Sequence, residues 1–205
     1  YYRGSPLGEL SGWTLSFWFE AKSDKKGDLF GIVRNENNGE AYRLTYENGT
    51  LTFGDPKQKK GAWKLVIKGV EKEKWNHLVI SYAQATGPAI YLNAEKMAQG
   101  GRGQMGYATK FDHYHFGAAV HGKGKYGDYF DGKIDDFELH NRPFDVEEIK
   151  RLSLGESFNG SLVAFNDFEN VNHRELAFFD LKARGKGYLE DCLLYTSPSP
   201  RDTLL

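Results

Sequence analysis

The chain has 205 residues, enough for one large β domain or for one domain and part of another. Its 27 basic and 28 acidic residues are well mixed and leave a formal net charge of -1, so no strong field draws it to nucleic acid or to an acidic membrane. No run approaches the roughly 20 apolar residues of a membrane span, and the single cysteine, Cys192, excludes an intrachain disulfide.

In chain order, Trp13, Leu15, Phe17 and Phe19 alternate with Thr14, Ser16, Trp18 and Glu20. A period of two places the first set on one face of a core strand and the second set on the other. A turn follows over Lys22 to Gly27, then a short apolar strand over Leu29 to Val33 and a turn over Asn35 to Gly39. Tyr42, Leu44 and Tyr46 alternate with Arg43 and Thr45, and Asn48-Gly49 separates that run from Thr50 to Phe53. Both residues of an Asn-Gly pair tolerate positive φ, which makes the pair a hairpin signal. Trp63, Leu65 and Ile67 repeat the alternation. Trp75 to Tyr82, Ile90 to Asn93, Tyr114 to Ala118 and Lys133 to Leu139 supply further strands, with Trp75 expected in the core.

Short strands at regular spacing with polar turns point to an all-β fold, an antiparallel sandwich or barrel. One helix follows the closing strand. Asp145 caps Val146 to Leu152, and Glu148 completes an Asp form of the capping box. No helix is long enough to cross between parallel strands. After Gly155 the pattern restarts with Leu162 to Phe165 and Phe168.

Four segments together resemble the laminin-G-like jelly roll of the concanavalin A-like lectin/glucanase superfamily. They are Gly12 to Phe19, Trp75-Asn-His-Leu-Val-Ile-Ser-Tyr82, Ala89-Ile-Tyr-Leu-Asn93 and Phe130 to Phe144, the last being similar to the family's closing strand ahead of its short helix. The third carries Ala94 where the family has a turn glycine. The resemblance implies a sandwich over residues 1–155 whose first strand would precede Tyr1. It implies for residues 156–191 either the start of a second similar domain or a returning strand. The chain opens without Met and reads as a fragment or a mature product. Residues 192–205 hold the only Cys and two of the six prolines. They look like translated sequencing adapter, a non-native tail set aside from fold reasoning.

Candidate chemistry is sparse. The superfamily's glucanases carry acids at alternate strand positions, and the nearest match is Lys133-Ile-Asp135-Asp136-Phe-Glu138. Lys133 stands where the nucleophile would be and cannot form the glycosyl ester, so the acidic triad is incomplete and no catalytic residue is assigned. The resemblance implies a structural calcium with Asp136 as ligand, and Asp131 in the preceding loop as a second candidate. Alternation would put Asp135 and Asp136 on opposite faces. His113 and His115 share a strand face but lack a third ligand for a transition metal. Gly122 to Gly127 matches G-x-G-x-x-G, yet a strand follows where a dinucleotide site needs a helix. It reads as a rim loop. Trp18 and Trp63 are the candidates for exposed indoles that stack on a sugar ring, with burial in the core as the other outcome. No G-x-S-x-G elbow is present.

The expectation is therefore a non-catalytic extracellular binding module within a larger secreted or cell-surface protein. Its partner would be carbohydrate or a surface glycoprotein, with no nucleic acid and no membrane insertion. A structural spacer or interaction domain supporting a neighbouring enzyme is the alternative, and a β-glucan hydrolase with rearranged acids the third.

Overall fold

The computed structural model describes residues 11–35, 39–56, 63–102, 104–105, 113–121 and 125–166. The tail at 192–205, most of 156–191 and Gly122 to Gly124 lie outside them. In chain order the strands are β1 (Gly12–Ala21), β2 (Gly27–Asn35), β3 (Gly39–Glu47), β4 (Thr50–Gly54), β5 (Lys64–Lys68), β6 (Trp75–Ala83), β7 (Gly87–Leu92), β8 (Glu95–Gln99), β9 (His113–Phe116), β10 (Ala119–Val120), β11 (Tyr126–Gly127) and β12 (Gly132–His140). Helix α1 (Val146–Ser153) and strand β13 (Leu162–Asn166) follow. A six-stranded sheet runs β13-β12-β1-β6-β7-β8 and a five-stranded sheet runs β5-β4-β3-β2-β9, with β10 and β11 paired as a small ribbon.

The period of two builds the core. Trp13, Leu15, Phe17 and Phe19 project from β1 into one cluster with Phe30, Tyr46, Phe53, Leu78, Ile80 and Ile90, all buried. The opposite face of β1 does separate work. Thr14 Oγ1 accepts from the Phe144 amide at 2.8 Å and donates to the Arg142 carbonyl at 2.9 Å, while Ser81 Oγ donates to the Phe144 carbonyl at 3.1 Å. These hydroxyls satisfy the backbone of the segment that crosses the sheet. They hold it where α1 buries Ile149 and Leu152 against Val79, Ala89 and Tyr91. The expected capping box is formed, with the Glu148 amide donating to the Asp145 side chain at 2.9 Å and the Asp145 amide to Glu148 at 3.1 Å.

Asn48 and Gly49 both have positive φ, as the hairpin signal requires. Asn93 and Ala94 do the same at φ 52° and 67°, so the turn geometry is kept although the glycine is gone. Leu162–Asn166 pairs with β12 and extends the six-stranded sheet. Strand β8 goes beyond the sequence expectation. Its Glu95-Lys-Met-Ala-Gln99 is mostly exposed, and pairing with β7 rather than apolar alternation makes it a strand.

One irregularity changes the phase of β12. Ser16 faces Glu138 and Trp18 faces Asp135, so Phe17 stands opposite two residues, and Asp136 takes φ 47°. This is a β-bulge. Ile134 and Phe137, three positions apart, both enter the core, and Asp135 and Asp136 both fall outside that cluster. The alternation expected of the Asp135–Asp136 pair does not hold because the bulge inserts a residue between two inward side chains.

Candidate binding site

The outer face of the six-stranded sheet is covered at one end by α1. At the other end two rows of side chains cross β12, β1 and β6. Trp18 pairs in register with Asp135 on one side and His77 on the other, and Glu20 pairs with Lys133 and Trp75. Trp18 and Trp75 are thus diagonal neighbours on one face, both half-buried. The Trp18 ring lies 4.7 Å from the His77 ring, tilted by 30°. His77 is itself held by Asn93, whose side chain accepts from the His77 amide at 2.8 Å and whose amide donates to the His77 carbonyl at 2.8 Å.

Lys133 Nζ sits 3.4 Å from Glu20 and 5.8 Å from the centre of the Trp75 ring, a cation–π contact beside an ion pair. Gly132 permits this arrangement, because a Cβ there would lie 2.1 Å from the Glu20 carbonyl oxygen. The neighbouring rim is polar and charge-balanced. Lys72 pairs with Asp24 at 2.8 Å and Lys74 with Glu71, and the Asp24 carboxylate holds the Lys72 amine above its usual range. The Glu73 amide donates to the Ala21 carbonyl and the Lys22 amide to the Asp131 carbonyl, tying these loops to the ends of the strands.

The two tryptophans named from sequence part company. Trp18 lies on the outer face. Trp63 packs on the core side, 5.6 Å from the rings of both Tyr42 and Phe53. Trp75, expected in the core, instead opposes Glu20 on the outer face. Its strand alternates, and the core positions of β6 fall to Leu78, Ile80 and Tyr82. Glu20, Lys133 and Trp75 were not recognisable as a group in the sequence, since 55 residues separate Glu20 from Trp75 and only the register joins them.

The remaining candidates are dispersed. Asp136 is buried on the bulge and its amide donates to the Asp135 side chain at 2.8 Å. Asp131 is half-buried at the rim. Among the described residues no three of His, Cys, Asp and Glu gather to hold a metal. His115 is buried on β9, in register with Gly31, and the side chain of His113 lies outside the described residues. His121 stands 3.6 Å from Asp128 at the foot of the glycine-rich loop. Of the glucanase-like run, Lys133 is engaged with Glu20. Glu138 is buried and 3.0 Å from His140 Nε2, whose Nδ1 lies 3.1 Å from the Ser161 hydroxyl. This buried chain lies beside Phe144 and Phe158 and links β12 to the residue preceding β13. On the other sheet, buried Asp28 accepts from Thr45 Oγ1 at 2.7 Å and pairs with Arg43 at 2.9 Å.

Two antiparallel sheets packed face to face, with a short helix laid across the outer face of the larger one, define a jelly-roll sandwich. The chain belongs to the concanavalin A-like lectin/glucanases superfamily, whose profile matches residues 3–150. No curated protein matches the sequence. Among solved structures, a native heptameric SAP-like pentraxin from Limulus polyphemus aligns with TM-score 0.58 and 13% identity over 77% of this chain and 80% of its own. The Ruminococcus gnavus IT-sialidase CBM40 bound to α2,3 sialyllactose aligns with TM-score 0.60 and 14% identity over 71% and 84%. The receptor binding domain of botulinum neurotoxin D aligns with TM-score 0.51 and 15% identity over 71% of this chain and 37% of that one. At these identities the likeness is one of fold.

Proposed function

We propose that the domain is a non-catalytic binding module that recognises carbohydrate, free or on a surface glycoprotein, within a larger secreted or cell-surface protein. The observation that carries this reading is the pair of half-buried indoles, Trp18 and Trp75, side by side on a solvent-facing sheet and next to the Glu20–Lys133 ion pair. An indole offers a flat apolar surface to the C–H face of a pyranose, and the ion pair offers hydrogen bonds to its hydroxyls. Two of the structural neighbours support the reading by analogy of fold, being a sialyllactose-bound carbohydrate module and a receptor binding domain. The acids of β12 support the absence of hydrolysis: Lys133 occupies the nucleophile position and Glu138 is committed to His140.

The test is a glycan array with the wild-type chain and Trp18→Ala in parallel. Binding by the wild type that is lost in the variant supports the module. A folded wild-type chain that retains no glycan or glycoprotein leaves the spacer function in its place.

A further inference from the structure

We infer that Asn159-Gly160 is a self-modifying turn: Asn159 deamidates through a succinimide, and the isoaspartyl product loosens the start of β13. The change needs no enzyme and no ligand, only water, and it is separate from binding at the sheet face.

In the first step the Gly160 amide nitrogen attacks the side-chain carbonyl carbon of Asn159. A C–N bond forms and closes the succinimide ring, while the bond from that carbon to Nδ2 breaks. The departing nitrogen takes up the proton that Gly160 gives up and leaves as ammonia. Water then opens the ring at one of its two carbonyl carbons. One opening gives aspartate. The other gives isoaspartate, in which the main chain runs through the former side chain and gains a methylene. Glycine favours closure, because it has no Cβ to crowd the attacking nitrogen and its backbone turns freely.

The chain has three Asn-Gly pairs, at Asn38, Asn48 and Asn159. Asn38 lies outside the described residues. Asn48 is clamped. Its φ is 53° and that of Gly49 is 70°, in the turn between the paired strands β3 and β4. The Asn48 amide donates to the Asp24 carbonyl at 3.2 Å, and the Gly49 carbonyl accepts from the Val70 amide at 3.2 Å. Two other loops thus hold the peptide that would have to turn, and Gly49 is half-buried. Among the described residues, the Asn159 turn is held from within. The Ser161 amide donates to the Phe158 carbonyl at 3.0 Å and the Leu162 amide to the Asn159 carbonyl at 3.3 Å. Asn159 and Gly160 are both exposed, and a Cβ at Gly160 would meet no atom within 4 Å. Such a turn opens locally at little cost in free energy. The residue after it is anchored. Ser161 is buried, its carbonyl accepts from the Asn141 amide at 2.9 Å, and its hydroxyl lies 3.1 Å from His140 Nδ1. A methylene added at residue 159 lengthens the path from Phe158 to Ser161. It strains the two contacts that hold the start of β13 to the end of β12.

The experiment ages the full chain in mildly alkaline buffer at physiological temperature, since base removes the Gly160 proton. Peptide mapping by mass spectrometry reads the replacement of amide by carboxylate at each Asn-Gly pair, and an isoaspartyl methyltransferase labels isoaspartate. Asn159 is expected to convert at least about tenfold faster than Asn48, a barrier difference near 1.4 kcal/mol. Gly160→Ala, which the open space there accommodates, is expected to slow conversion of Asn159 by about tenfold or more. Hydrogen exchange across residues 162–166 should be faster in the aged wild type than in the fresh protein or in the aged Gly160→Ala variant. Fresh Asn159→Asp supplies the charge without the methylene and should exchange like the fresh wild type. Conversion at Asn48 as fast as at Asn159, or no conversion at Asn159, overturns the inference. Isoaspartate at residue 159 with unchanged exchange across 162–166 overturns the loosening of β13. Equal loosening in fresh Asn159→Asp overturns the isoaspartyl route to it.

Discussion

The indole of Trp18 covers the imidazole of His77, the residue directly across from it on β6, with ring centres 4.7 Å apart. His77 is buried although it lies on the outer face of the sheet, and the indole is part of its cover. Trp18 thus has two roles, as a lid on His77 and as surface.

Trp18→Ala and Trp63→Ala are expected to separate binding from stability. Trp63 fills space beside Tyr42 and Phe53 at the core margin, so its truncation is expected to cost about 3 kcal/mol, the lower end for a buried aromatic. Glycan affinity of the folded Trp63 variant should match the wild type. Trp18→Ala is expected to cost about 1–2 kcal/mol by exposing His77 and to remove binding. Denaturant unfolding and calorimetric titration of the two variants check this. A Trp63 variant that unfolds less readily than the Trp18 variant would contradict the packing assignment.

Ala94→Gly is expected to stabilise the domain. Ala94 holds φ 67° in a tight turn between β7 and β8. An L side chain in the left-handed region costs roughly 1–2 kcal/mol, whereas glycine enters it freely but gives up some unfolded-state entropy. The net expectation is a gain of about 0.5–1 kcal/mol, read as a higher midpoint in urea.

Helix α1 should loosen in acid. Glu148 closes the capping box and binds Arg142 through both carboxylate oxygens, at 2.6 and 2.9 Å. Its side-chain hydrogen bonds from Arg142 lower its pKa below the ordinary 4.5. A carboxyl with a lowered folded-state pKa contributes stability that is fully present above its unfolded value and is lost as pH falls through the folded one. Stability should thus decline below pH 4.5 with a contribution that Glu148→Gln removes. Asp145→Ala should cost about 1 kcal/mol at neutral pH through loss of the cap. Urea midpoints measured as a function of pH for the three proteins test both statements.

Alkali acts on a different residue. Tyr114 on β9 lies between the rings of Phe30 and Phe137, 6.3 and 6.2 Å away, and burial pushes its phenol up from 10.0 to about 12. Because the folded state keeps a proton that the unfolded chain gives up, stability is intact below pH 10.0 and falls as pH rises from there towards 12. Difference absorbance should show the Tyr114 phenolate appearing late, and Tyr114→Phe should flatten the alkaline loss.

The fold was legible wherever a strand buries one face. β1, β3, β4 and β6 announce themselves because alternate residues enter the core, and α1 because Asp145 and Glu148 stand three apart ahead of Ile149 and Leu152. β8 was silent because its pairing is with backbone, which carries no side-chain pattern. The destination of Leu162–Asn166 was equally hidden, since a short apolar run reads alike in either of two sheets. Trp18 was legible as a second-face residue of β1. Glu20, Lys133 and Trp75 were not, because their meeting depends on how β12 and β6 register against β1.

The bulge at Asp136 acts as a half-period phase shifter. Upstream of it Ile134 points inward and Lys133 meets Glu20; downstream Phe137 and Leu139 point inward. Excising Asp136 would leave Phe137, Asp135, Ile134 and Lys133 in strict alternation, with Ile134 still inward and Lys133 still opposite Glu20, so the strand would lose its kink and keep the facing of its side chains.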